Sequence, residues 1–241
     1  MFQRIFSIYL VLVSSYFTIG QINTNAEEIT PKEDSATTDK QSSTLYVSGQ
    51  YFNAFRVVED LTFDQAFDSL NAEQPAASGG IEVGTHINFS ERVWLSVGVN
   101  FFGGGESWLY ADSLTDSTFS YTNKYRQIAL PLRLNYGVGD QLKWFGFIGV
   151  IPSSILGRTY QSKFTNANGV LSENDIEVIE TNINSFQFIG TCGTGISYSF
   201  GTTTIFGNIE YRHHFSNTYS GIFLNHYQRL LGGNIGLSFT L

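Results

Sequence analysis

The sequence holds a single cysteine, Cys192, which rules out an internal disulfide and any CxxC-type metal site. It lies far from the N-terminal leader, so it is not a lipidated N-terminal cysteine. It reads as an inert buried or lipid-facing thiol. Charge is also scarce: charged residues make up 14% of the chain, against about 25% in ordinary soluble domains. Net charge is −8 with no Arg/Lys cluster, so nucleic acid is not an expected partner. Long apolar runs are missing too. The stretch from Ile5 to about Val13 falls short of the ~20 residues of a spanning helix. What is abundant is Gly, 24 residues, and aromatics, 15%. Mean hydropathy is near zero, at −0.05. Low charge without long apolar runs fits residues that alternate apolar and polar, the composition of a membrane β-barrel.

Residues 1–20, MFQRIFSIYLVLVSSYFTIG, place Arg4 ahead of the apolar stretch and then Ser14 and Ser15. This is the layout of a secretory signal peptide, cleaved after Gly20 or alternatively after Ala26. An uncleaved anchor is the other reading. Residues 21–43 are polar with no hydrophobic period and read as a disordered periplasmic linker. The remaining domain, 44–241, changes to a period of two.

Eight alternating segments follow, at about 44–54, 79–89, 93–103, 124–136, 142–156, 185–200, 203–213 and 228–241. In the second, Ile81, Val83, Ile87 and Phe89 share one face and Glu82, Gly84, His86 and Asn88 the other. In the fourth, Ile128, Leu130, Leu132 and Leu134 oppose Gln127, Ala129, Arg133 and Asn135. The first and fifth are less clean. The non-apolar face is rich in Gly, Ser, Asn and Thr, where a water-facing surface would carry many Lys and Glu. That set suits the tight interior of an eight-stranded barrel, with the apolar face against lipid. Connections alternate long (about 55–78, 104–123, 157–184, 214–227) and short (Ser90–Arg92, Gly137–Gln141, Gly201–Thr202). Periplasmic turns and long outer loops follow this pattern. The fold class expected is therefore all-β, an eight-stranded antiparallel up-and-down transmembrane β-barrel of a bacterial outer membrane. Aromatics at strand ends read as girdles: Phe89, Trp94, Tyr136, Trp144, Tyr198 and Phe239 at the periplasmic side, and Tyr51, Phe101, Tyr125, Phe186 and Tyr211 at the outer side.

Two stretches carry a family likeness. The last segment, with Asn234, Gly236, Phe239 and Leu241, resembles the signal by which barrel-assembly machinery recognises outer-membrane barrels, with Leu241 where a terminal Phe is usual. Residues 125–156, with Pro131 inside an apolar strand before an aromatic-Gly strand, resemble the PorT-like outer-membrane β-barrel families of Bacteroidota. The likeness extends as architecture, of the OmpA-like barrel type, over 44–241. It implies a location, and a role in secretion for some members, more than a mechanism.

Four charges are expected inside: Glu82, Arg133, Glu210 and Arg212. Isolated charges in a narrow lumen are costly, so Glu82, Glu210 and Arg212 are expected to pair. Arg133 lies nearer the periplasmic end and has no evident partner. The cluster reads as a plug, or alternatively as the polar path of a narrow porin-like channel. Arg126 and Arg229 share the parity of lipid-facing residues at outer strand ends, at the level of Arg56, Lys124 and Arg158. Such a rim meets lipopolysaccharide phosphates or snorkels at the interface. A lipid-modifying enzyme is the runner-up, from His213, His214, Ser216 and His226, but no acid is placed to orient them. His86 reads as a lumenal hydrogen-bonding side chain. Acidic residues Glu59, Asp60, Asp64, Asp68, Glu73, Glu173, Asp175, Glu177 and Glu180 fall in the outer loops without EF-hand spacing. No catalytic residue, metal site or cofactor is expected. Partners expected are outer-membrane lipid including lipopolysaccharide, the assembly machinery, and envelope or secretion proteins.

Overall fold

The structure, a computed structural model, describes residues 43–60, 71–112, 116–169, 171–177, 185–218 and 224–240. The signal peptide, nearly all of the linker, Leu241, Asp64, Asp68, Val178 and Glu180 lie outside them.

Eleven strands follow one another: β1 (Ser43–Asp60), β2 (Asn71–Gln74), β3 (Ala76–Asn88), β4 (Val93–Asp112), β5 (Ser117–Ala129), β6 (Leu132–Val138), β7 (Leu142–Thr165), β8 (Leu171–Glu177), β9 (Phe186–Phe200), β10 (Thr203–His214) and β11 (Leu224–Thr240). All pairings are antiparallel. They make a ring of eight staves. β2 and β3 together form one stave and β5 and β6 another, while β8 folds back on the far end of β7. β11 closes the ring on β1, from Thr44 opposite Thr240 to Asp60 opposite Leu224. Closure leaves the eight-stave ring without a free edge, which an open sheet in hydrocarbon would leave unpaired.

Pro131 explains why one stave is in two pieces. It has no N–H to give the ladder. The gap is bridged by Gly98 N–H to the Pro131 carbonyl (3.2 Å) and Leu130 N–H to the Pro152 carbonyl (2.9 Å).

The strands correct the expected loops. The stretch 104–123 is mostly strand, with β4 running to Asp112 and β5 starting at Ser117. The stretch 157–184 is different: the alternation at Ile176 and Val178 already points to strands continuing there, and it contains the β7–β8 hairpin, with Glu173, Asp175 and Glu177 on β8. β1 continues through Glu59 and Asp60, and Glu73 lies on β2. The extensions of β5 and β7 are rich in Thr, Tyr and Phe, which favour strands. Part of the inner face of the extended β4, β5 and β7 is buried yet polar, with Glu106, Asn123 and Arg158, so the apolar-polar alternation weakens and the ladder outlasts its sequence signal.

Two faces separate as the alternation requires. Ile209 is 66% exposed and Ile235 70%, and Val83, Leu134, Ile148 and Leu231 are exposed beside them. The opposite positions, Ser48, Ser96, Asn135 and Ser238, are buried. An apolar exterior around a closed ladder is the surface of a membrane-spanning barrel. Lumenal glycines make room for rings. A Cβ on Gly84 would stand 2.7 Å from the Tyr46 ring, and one on Gly236 2.5 Å from Phe206. Two expected girdle residues face inward instead. Tyr125 is 1% exposed, and Trp94 packs on Phe145 at the short-turn mouth with Lys143 Nζ over its ring. Parity, not nearness to a strand end, decides this.

Candidate functional site

The lumen is filled in layers. At its centre, Glu82 on β3 is almost wholly buried and accepts from five donors. These are Tyr46 Oη (2.5 Å), Gln50 Nε2 (2.7 Å), Asn100 Nδ2 (3.2 Å) and both Arg133 terminal nitrogens (2.6 and 3.1 Å). Arg133 Nη2 reaches on to Glu210 Oε1 at 3.2 Å. Glu210 in turn accepts from Arg212 Nε (2.8 Å), Thr191 Oγ1 (2.7 Å) and Asn234 Nδ2 (2.7 Å). The structure thus brings Glu82, Arg133, Glu210 and Arg212 into one group, and Arg133 bridges the two carboxylates. Two positive and two negative charges leave the layer neutral.

Glu82 comes from β3, Arg133 from β6, and both Glu210 and Arg212 from β10, so the group depends on how three staves are placed around the lumen. Glu82 stands opposite Ser48 and Asn100 in register, and Glu210 opposite Gly193 and Gly232. The glycines make room for aromatic rings: a Cβ on Gly193 would lie 2.4 Å from Phe147 and one on Gly232 2.7 Å from the Phe52 ring. An uncompensated charge here would cost several kcal/mol.

Arg212 links this layer to the next. Its guanidinium lies 4.1 Å from the Phe52 ring centroid and 5.1 Å from that of Phe102. Phe52 and Phe102 belong to an apolar cluster with Ala54, Ala76, Ala129, Ile151, Ile189 and Leu230, all buried inside the barrel. Sequence reading missed this layer. Its signal was the imperfect alternation of the first and fifth segments, where Phe52, Ala54 and Ile151 occupy lumenal parity.

Toward the short-turn end the lumen opens into a cavity of about 290 Å³. His86 stacks on Tyr46 there, with ring centroids 4.4 Å apart, and its Nδ1 is 2.9 Å from Ser96 Oγ. This agrees with a hydrogen-bonded lumenal histidine. Toward the long-hairpin end lies a second polar layer. Arg158 Nε and Nη2 donate to Asn123 Oδ1 (3.1 and 2.8 Å), and Arg56 Nη1 donates to Tyr121 Oη (2.5 Å). Asn123 also donates to Glu106.

Arg56 and Arg158 are therefore not part of an outward rim. For Arg158 the cause is a bulge. The β5–β7 register jumps between Arg126/Gly157 and Gln127/Ile155, so Leu156 is extra and parity flips beyond it. Arg126, Lys124 and Arg229 do face outward and are exposed. Arg229 lies over the Tyr227 ring at 5.9 Å.

The insertion-signal residues divide by face. Asn234 is buried in the lumen as a Glu210 partner, Gly236 is lumenal, and Phe239 is on the lipid side. Among the enzyme candidates, His214 turns inward with Nδ1 3.4 Å from Gln187 Oε1. The Ser216 hydroxyl accepts the Phe188 N–H at 2.8 Å, and His213 faces outward. The side chain of His226 lies outside the described set. Among the described residues no three His, Cys, Asp or Glu side chains converge as a metal site.

No family model and no curated protein matches the chain. Solved structures do. The outer membrane protein OprG from Pseudomonas aeruginosa is 10% identical, over 83% of this chain and 97% of that one, with a TM-score of 0.48. AlkL, solved by solid-state NMR in DMPC lipid bilayers, is 11% identical over 90% and 97%, with a TM-score of 0.44. Neisserial surface protein A is 12% identical over 82% and 97%, with a TM-score of 0.37.

Proposed function

We propose that the chain is a non-enzymatic barrel of the bacterial outer membrane, plugged rather than conducting, that acts through its outer hairpins or by contact with envelope partners. A secretion-accessory role, of the kind the PorT-like resemblance implies, belongs to this reading. So does residence after cleavage of the signal peptide and insertion by the barrel-assembly machinery. The observation that carries the plug is the sequence of layers inside the barrel. A neutral ion-pair group is followed by an apolar cluster, and an ion crossing the second would lose much of its water. Eight strands enclose little more than their own side chains. The outward positions of Arg126 and Arg229 support contact with lipopolysaccharide phosphates.

Planar-bilayer recording tests the plug: the expected trace is flat, and a steady open conductance overturns it. Lipid A mass spectra from cells with and without the protein test the absence of enzyme activity. The expected spectra are the same, and a missing or added acyl group would establish the enzyme reading instead. Crosslinking in intact cells, with identification of the captured protein, would name the partner.

A further inference from the structure

We propose that the outward wall around β10 holds one lipid A molecule, its phosphate at His213 and Arg229 and an acyl chain in the groove beneath. The proposal rests on the outer-membrane reading above and narrows its lipid contact to one place.

A groove of about 580 Å³ crosses the exterior there, lined by Leu95, Leu132, Leu134, Ile148, Cys192 and Tyr211. That volume falls within the roughly 300–1,000 Å³ of small-molecule sites. Leu132, Leu134 and Ile148 belong to the exposed apolar belt. What surrounds such a belt in a membrane is hydrocarbon, so the occupant of a dent in it is an acyl chain.

One end of the groove is not hydrocarbon-like. It is closed by Tyr211, His213 and Phe215. Gly190 seats the Phe215 ring, because a Cβ at that position would lie 2.5 Å from it. His213 meets the edges of Phe215 at 4.9 Å and Tyr227 at 5.4 Å. Arg229 lies over the other side of this cluster, 5.9 Å from the Tyr227 centroid. His213 and Arg229 are cross-strand register partners, which places their Cβ atoms about 4.5–5.5 Å apart. A phosphate oxygen fits between an imidazole and a guanidinium at that spacing, and Arg grips phosphate through two N–H groups.

The depth agrees. β10 begins at Thr203, and a tilted strand crosses hydrocarbon in about 9–11 residues. His213 therefore sits at headgroup level. An outward Arg is tolerated at that level and is costly at the midplane. Lys124, Arg126 and Arg229 are all exposed toward the long-hairpin end. Lys124 and Arg126 stand on β5, across the ring from β11, so Arg229 is the cation of this site, and on the outer-membrane reading the phosphate at that end of the barrel is that of lipid A.

The test uses the full chain in detergent, stripped of lipid and offered lipid A or phosphatidylglycerol, with native mass spectrometry as the readout. One lipid A is expected to be retained per chain, at least tenfold more than phosphatidylglycerol. Cys192, inside the groove, reports position: lipid A is expected to slow its alkylation by a maleimide several-fold. Ile148→Trp, which fills the groove from an exposed site, and the pair His213→Gln with Arg229→Gln are each expected to reduce retention at least tenfold. Folding of each variant is checked by its heat-dependent gel shift. Equal retention of the two lipids, retention unaffected in both variants, or Cys192 indifferent to lipid A would each overturn the proposal. Density-gradient fractionation of envelopes tests the membrane assignment separately, so failure of the location and failure of the lipid site give different results.

Discussion

Arg133 on β6 holds Glu82 on β3 through two hydrogen bonds, of 2.6 and 3.1 Å, across the interior of the barrel. Two staves that flank β4 are tied by a fork-on-fork contact over its inner face. The same guanidinium touches Glu210, so this pair is the keystone of the ionic layer.

Removing one partner should therefore hurt more than removing both. Arg133→Met leaves two buried carboxylates facing one guanidinium, and should cost about 3–5 kcal/mol. Glu82→Leu combined with Arg133→Met leaves the Glu210–Arg212 pair intact and should cost less than the single change. Urea unfolding in lipid vesicles, followed by tryptophan fluorescence, gives both values. A double variant as unstable as the single one would mean that the pair is not coupled in this way.

Gly84 should not accept a side chain. Its Cβ would stand 2.3 Å from the Val97 carbonyl oxygen and 2.7 Å from the Tyr46 ring. Gly84→Val is expected to destabilise the barrel by roughly 1–3 kcal/mol through overpacking. Gly49, with nothing within 4 Å of its Cβ position, is the control, and Gly49→Val on the lipid side should be close to neutral. The midpoint of the heat-dependent gel shift compares the two.

The tryptophans report which face is which. Trp144 is 61% exposed on the outer wall, whereas Trp94 packs inside on Phe145. In single-tryptophan variants placed in vesicles with brominated acyl chains, Trp144 should be strongly quenched and Trp94 little affected. Equal quenching would put Trp94 in the girdle after all.

Arginine reactivity separates the two polar environments. Arg229 is exposed, whereas Arg158 is largely buried and Arg212 wholly so. Phenylglyoxal should modify Arg229 at least tenfold faster than Arg158 and Arg212 in the folded protein, as read by peptide mass spectrometry. Fast modification of Arg158 would contradict the inward turn made by the bulge at Leu156.

Much of this architecture was legible in the chain. Alternation such as Ile81-Glu82-Val83 assigns faces without any coordinates, because the side-chain period of a strand is two. The short turns fell within a residue or two of their expected places. Glu82, Glu210 and Arg212 were identifiable as lumenal because charge on that face is rare. Arg133 was identifiable too, but its partner was not, since Glu82 and Arg133 lie 51 residues apart and nothing local links them. The apolar layer around Phe52 and Ile151 was disguised as noise in the alternation.

By itself the sequence determined that the chain alternates, that its alternate face is small and nearly uncharged, and that eight spanning segments are available. These follow from period and composition, which are local properties. The tertiary structure alone decided how far the strands run beyond the membrane, and which side Arg158 takes past a one-residue bulge. It also decided that Arg133 bridges two carboxylates. Those outcomes depend on register and on the distance across a closed ring, and neither is written in the spacing of residues along the chain.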